Sequence, residues 1–368
     1  PPRLGRTGLS SQPVDNLAHA VVGAALGRAV AGRKVPAAGW IGAVAANAPD
    51  WTEPLLGFRP FRGSLGYYTL HRGITHSFIG AAVESAAITG VLWGLFVLLR
   101  RRIETVSLLT LGALVTLTVW SHVYMDWQGS YGLRPWLPWD GNWYYADWVA
   151  IVDPLFWVVP LVGLAWGAER HWMALTPVLL LAGFVLWAEF IWRPNVPAPW
   201  VRAVSAGLVV LGAVGWVRHW FGVAGRRAAA AWSLAVLAVY AGTQAVASVP
   251  AKARVRRDAV TRFGPDASWA ALTSVGRPFR WEAMYASRDS VAGPGWVLPR
   301  HLDDEHVQTA LRQTAAGRAM GGFARFLAAE VDSTPSLVVR LRDVRYARTA
   351  TSGWGVVTVP VSMAAGSP

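Results

Sequence analysis

Of the chain's eight histidines, four stand close to acids in a recurring arrangement. His19 follows Asp15-Asn16, and Asp50 closes Asn47-Ala48-Pro49-Asp50 with Glu53 three residues on. His71-Arg72-Gly73-Ile74-Thr75-His76-Ser77 leads into an apolar run, and His122 and Asp126 end another. The last pair is spaced i, i+4, which sets two side chains about 40° apart on one helical face. Imidazoles and carboxylates without thiols suit Zn, Mn, Ni or non-haem iron. The chain has no cysteine, which excludes disulfides, iron–sulfur clusters and thiolate zinc sites.

His19, Asp50, His71, His76, His122 and Asp126 are six candidate ligands, more than the three or four of one catalytic zinc. A two-metal site, with ions about 3.5–4 Å apart, is therefore reasonable. Such ions activate water and stabilise charge on a phosphoryl oxygen. Arg72, between two candidate ligands, is suited to holding a phosphate or carboxylate bidentately. Asp50 or Asp126 could instead bridge metals or act as general base.

Plainer roles exist for several of these residues. Asp15 and Asn16 are good helix caps, as are Thr75 and Ser77, and Pro49-Asp50 fits a turn. Glu84 and Asp153 lie within apolar segments, where an acid is costly and usually functional, yet helix packing or an ion pair explains them as well. His171 and His219 read as surface residues. His301, Asp303, Asp304, Glu305 and His306 sit at a helix start, where acids stabilise the N-terminus; capping is preferred there to metal binding.

The elements that must position the cluster are apolar helices. The 368 residues are 54% hydrophobic and only 15% charged, against about 25% charged in soluble chains. Residues 1–250 carry 29 of the 55 charged side chains, and the shorter remainder carries 26. A membrane domain (1–250) followed by a soluble domain (251–368) is expected. Phe78–Leu99, Val106–Trp127, Val149–Ala168, Trp172–Trp192, Trp200–Val217 and Ala229–Val249 are each near the ~20 apolar residues a bilayer needs. Leu17–Ala31 and Ala38–Ala48 are shorter and rich in small residues, fitting a closely packed helical hairpin. About eight helical segments result. Up-down threading then puts the His19, Asp50, His76 and Asp126 ends at one surface, with Asp153 opening the next span there.

Arginines set the orientation. Arg100–Arg102, Arg218, Arg226 and Arg227, with Arg28, Arg33, Lys34 and Arg170, lie on the opposite side, which the positive-inside rule makes cytoplasmic. The Trp127–Trp148 loop and the tail are then extracytoplasmic. The net charge of +13 is explained by these arginines and by anionic lipid, without nucleic acid. In the tail, Phe279–Ala286, Leu337–Tyr346 and Gly355–Ser362 read as strands and Asp303–Ala329 as helix, giving an α+β domain.

Asn16-Leu17-Ala18-His19, Ala48-Pro49-Asp50, the His71–Ser77 element and His122-Val123-Tyr124-Met125-Asp126, in this order, resemble the YdjM-like family of bacterial and archaeal inner-membrane proteins, described as metal-dependent hydrolases. His-Arg-Gly-x-Thr-His-Ser is the most specific element. The family's usual Pro-Asp-x-Asp is here Pro49-Asp50-Trp51-Thr52, with Glu53 as the available substitute for the second Asp. The family is also distantly similar to zinc-dependent phospholipase C. The resemblance implies a hydrolase.

The expected molecule is a mainly α polytopic membrane bundle with a C-terminal α+β domain, in a bacterial or archaeal cytoplasmic membrane. Its expected activity is hydrolysis, by metal-activated water, of a phosphoester in a lipid or lipid-linked substrate. Zinc, one or two ions, leads over Mn or Fe. The competing reading is a non-enzymatic metal-binding membrane protein: an ion carrier, a redox protein or a partner-binding scaffold.

Overall fold

The computed structural model describes residues 12–32, 34–35, 37–57, 64–99, 107–169, 172–191, 197–333, 336–349 and 351–361. Arg33, Arg100–Arg102, Arg170 and His171 lie outside them, as do the side chains of Asp15 and Glu53.

The chain is mostly helical. Each of the eight expected segments holds a helix: α1 Gln12–Ala31, α2 Ala38–Ala45 and, after a short α3 (Ser64–Leu70), α4 Phe78–Leu98, α5 Leu108–Gln128, α6 Leu155–Trp166, α7 Trp172–Phe190, α8 Pro199–Val217 and α9 Arg226–Phe263. Among the described residues four of them, α4, α5, α8 and α9, are long and apolar enough to cross a membrane. α6 is shorter than expected because Asp153-Pro154 fixes its start: the Asp153 carboxylate accepts the Leu155 N–H at 3.0 Å. The stretch before it instead pairs with the end of α5, Trp148 and Val149 both donating to the Gln128 carbonyl. α9 runs unbroken past residue 250 to Phe263, with Pro250 inside it.

The α1–α2 hairpin is as close as its small residues allow. At Gly23 a side chain would collide with the Gly42 carbonyl, and at Gly42 with the Gly23 carbonyl. Glycine lets the two backbones touch, as in membrane helix pairs generally. α4 keeps Val83, Val91, Leu95 and Leu98 exposed, the surface a lipid-facing helix presents.

At one end of the bundle the basic residues bind helix ends. Arg28 donates to the Leu164 carbonyl, Arg226 to that of Gly32 and Arg227 to that of Ala29. At the other end α3 and the stretch between α5 and α6 meet the tail, Gly355 N donating to the Tyr68 hydroxyl, Thr273 N to Ser130 Oγ and Gly276 N to the Val152 carbonyl. The four helix ends expected at one surface do gather there.

The tail holds two antiparallel sheets, β1 Ser268–Thr273, β2 Trp281–Ala286, β3 Ser290–Gly293 and β4 Trp296–Pro299 in chain order, and β5 Leu327–Asp332, β6 Val338–Asp343 and β7 Val356–Pro360 in chain order. In β6 alternate residues Val339, Leu341 and Asp343 are buried. Arg340 and Arg342 point the other way and pair across β5 with Asp332 and Glu330, each at 2.7 Å. The expected helix at 303–329 is two, α10 Glu305–Gln313 and α11 Ala315–Phe323. Thr314 divides them by capping α11 through Gly317 N, and residues 327–332 pair with β6 as a strand. Asp304 caps α10, accepting from His306 N and Val307 N, so capping accounts for that acidic group.

Candidate metal centre

Each side chain of the cluster is set by a helix or its cap. His122 and Asp126 lie one turn apart on the buried face of α5, 0% and 4% exposed. Ser77 caps α4 by accepting Gly80 N, which fixes the preceding 3₁₀ turn Ile74–His76 and turns His76 inward at 1% exposure. Asp50 belongs to a 3₁₀ segment, Ala48–Gly57, following α2. His19 is in α1 and stacks on His122, ring centroids 3.7 Å apart.

Their ligand atoms converge. His76 Nε2 lies 3.2 Å from Asp50 Oδ1, from Asp126 Oδ2 and from His122 Nε2. His122 Nε2 is 3.7 Å from Asp50 Oδ1 and 3.6 Å from Asp126 Oδ2, and His19 Nε2 is 3.4 Å from Asp126 Oδ1. Two overlapping groups that could hold a metal ion result: His19, His122 and Asp126, and Asp50, His76 and His122, the ligand atoms of each within 4.8 Å of one another.

Hydrogen bonding fixes one tautomer. His122 Nδ1 is 2.7 Å from the Ala46 carbonyl oxygen. A carbonyl only accepts, so Nδ1 carries the proton and, in the neutral ring, Nε2 presents a lone pair. A ligating histidine bound through its other nitrogen to a carbonyl is the usual outer support of a metal site. His76 Nδ1 is likewise 3.1 Å from Thr75 Oγ1. Three acceptors therefore surround His76 Nε2, which can offer them one proton. That surplus of lone pairs suits a multivalent cation better than a proton.

The electrostatics agree. Burial works against a charged His76, but Asp126 and Asp50 outweigh it and hold the imidazole up to about 9. Burial also opposes the Asp50 carboxylate, yet His122 and His76 keep it well below the usual carboxylate range. The Asp50 carboxylate is thus held ionised against the imidazoles.

Arg72 is 2% exposed, and its backbone takes the left-handed conformation at φ 48°, which costs a non-glycine residue roughly 1 kcal/mol or more. Its guanidinium donates to Asp126 Oδ1 at 2.8 Å and to the carbonyls of Asp126 and Gly132 at 3.3 and 3.2 Å. It therefore orients Asp126. His71 is 9% exposed, its ring 6.4 Å from that of His76 and edge-on to Tyr131 at 5.2 Å; neither of the two candidate groups includes it. Asp153 is buried and bound to Tyr240 at 2.7 Å and Gln244 at 3.3 Å. A cavity of about 20 Å³, room for about one water, is lined by Arg72, Asp126 and Asp153 among others.

Sequence reasoning missed Tyr131 and the tail's part in the site. Arg72 sits over the Tyr131 ring at 4.6 Å, and that ring packs on tail Phe323, Tyr346 and Trp354. Arg345 donates to the Ser130 carbonyl at 2.7 Å, Arg325 pairs with Asp147 at 3.0 Å and Gly355 N donates to the Tyr68 hydroxyl. The tail thus roofs the centre. The density of aromatics in the 124–148 loop was the available signal, but tryptophan there also reads as a membrane anchor.

No curated protein and no solved structure matches the chain, so the likeness to phospholipase C rests on the motif resemblance alone. The model of one family, YdjM inner membrane protein, matches residues 14–196. That stretch contains His19, Asp50, Arg72, His76, His122 and Asp126. The chain belongs to the YdjM inner membrane protein family.

Proposed function

We propose that this is a membrane-embedded metal-dependent hydrolase acting on a phosphoester of a lipid or lipid-linked substrate. Asp50, His76, His122, Asp126 and His19 hold the metal, zinc being best suited to this nitrogen and oxygen donor set. The observation that carries the reading is the meeting of His76 Nε2, His122 Nε2 and two carboxylates, with the His122 lone pair turned inward by the Ala46 carbonyl. A bound divalent ion supplies Lewis-acid activation of water and neutralises charge on a phosphoryl oxygen. Asp126 is held in place by Arg72 and His19, and Asp50 offers a carboxylate to take up a proton. All eight apolar segments lie in the membrane, with the site and tail extracytoplasmic.

One observation favours a second reading, in which a metal staples helices and tail together without turnover. The ligands are at most 9% exposed, and the adjoining cavity of about 20 Å³ admits a water but no phosphoester. Turnover requires the tail's aromatic roof to move. The test is hydrolysis of lipid phosphodiesters by the full chain in liposomes with Zn or Mn, beside His76→Ala. Metal-dependent turnover lost in the variant supports the hydrolase; bound metal without turnover across phosphodi- and phosphomonoester lipids selects the staple.

A further inference from the structure

A second basic feature lies away from the metal centre, where α8 begins. A groove of about 420 Å³ is lined by Arg202, Arg277 and Arg280 together with Trp200, Pro199 and Pro278. Its walls are fixed to each other. Ala198 N donates to the Gly276 carbonyl at 2.9 Å, and Gly276 N to that of Val152 at 3.4 Å. Gly276 adopts φ +64°, and a side chain there would press on Pro197 at 2.9 Å. The loop between β1 and β2 is thus locked against the first turn of α8.

The groove has unneutralised positive charge. Buried Glu189 faces Arg202 electrostatically, whereas among the described residues neither Arg277 nor Arg280 forms an ion pair within 4 Å. Among the described residues the Nε of Arg202, shielded from solvent, has no hydrogen-bond partner, and its guanidinium lies over the Phe190 ring at 5.5 Å. The first turn of α8 adds N–H groups without intrahelical acceptors and the positive end of a helix dipole.

Its setting specifies the anion's source. α8 is a candidate membrane span. Trp200, which lines the groove, is 45% exposed, in the manner of aromatic side chains at headgroup level. Below Trp200 the exposed side chains of Val204, Leu211 and Val214 provide a track for an acyl chain. We propose that this groove binds the phosphate headgroup of an anionic phospholipid, with the acyl chains lying along α8. The inference stands apart from the metal centre.

The test is native mass spectrometry of the full chain in detergent, titrated with phosphatidylglycerol or phosphatidylcholine, with inorganic phosphate as competitor. Phosphatidylglycerol is expected to bind more tightly than phosphatidylcholine. Arg277→Gln with Arg280→Gln, both exposed, should weaken it about 30-fold, from roughly fivefold per surface arginine. His76→Ala should leave it unchanged, separating this site from the metal reading. Equal binding of the two lipids, or undiminished phosphatidylglycerol binding in the double variant, overturns the proposal. Displacement by phosphate at a concentration similar to the lipid's also overturns it, indicating a site for a soluble anion.

Discussion

Arg72 and Asp126 form a buried ion pair at 2.8 Å, each with at most 3% of its side chain exposed. Removing either charge strands the other in a low-dielectric interior, a loss of about 3–5 kcal/mol. Replacing both by neutral residues of similar size removes the stranded charge, so the double variant should lose much less than the sum. An unfolding entropy of ~2.1 cal/mol/K per residue gives ~0.8 kcal/mol/K for a chain of this length. Each single variant, Arg72→Met or Asp126→Asn, should therefore lower the melting temperature by about 4–6 °C. The assay is thermal unfolding of the chelator-treated protein in detergent, with all four members of the cycle measured together. Single-variant shifts under about 1 °C, or a double variant that loses the full sum, would refute the coupling of the pair.

Three further outcomes follow from the packing. Gly23→Val and Gly42→Val each force apart backbones in contact and should cost about 1–3 kcal/mol or more, read as lower melting temperature and easier proteolysis between α1 and α2. Tyr131→Ala removes the ring between Arg72 and the tail aromatics and should speed proteolysis of the tail while leaving the helices intact; unaltered cleavage would count against the roof. Burial pushes the phenol of Tyr68 up to about 12, and a raised folded value favours the neutral ring. The Tyr68 contribution is complete below pH 10 and is lost as pH rises toward 12, so its tyrosinate absorbance and exposure of the tail it holds through Gly355 should rise together there, and loss of the Tyr68 signal in Tyr68→Phe near pH 10 instead of 12 would contradict it.

The cluster was legible because its parts are local. An i, i+4 His122–Asp126 pair and apolar runs that begin or end on His and Asp need only helical geometry and up-down threading. The strands β6 and β7 were legible through alternation. Residues 327–332 were not, since Leu, Ala, Ala and Glu favour helix locally while pairing with β6 decides the outcome. β3 and β4, four residues each about a turn at Gly295, are too short to give a period. The left-handed backbone at Arg72, between His71 and His76 of one motif, is likewise something that spacing does not reveal. The tail's contact with Tyr131 is a tertiary event with no local trace.

A His/Asp cluster that holds metal must carry the ion through purification. Elemental mass spectrometry of the purified full chain, wild type beside His76→Ala and His122→Ala, tests it most directly. Near-stoichiometric zinc, manganese or iron, one or two equivalents, is expected, lost in both variants while both still fold with native helical content. Wild-type protein free of metal, even after reconstitution with these ions, would contradict it, as would full metal retention in both variants.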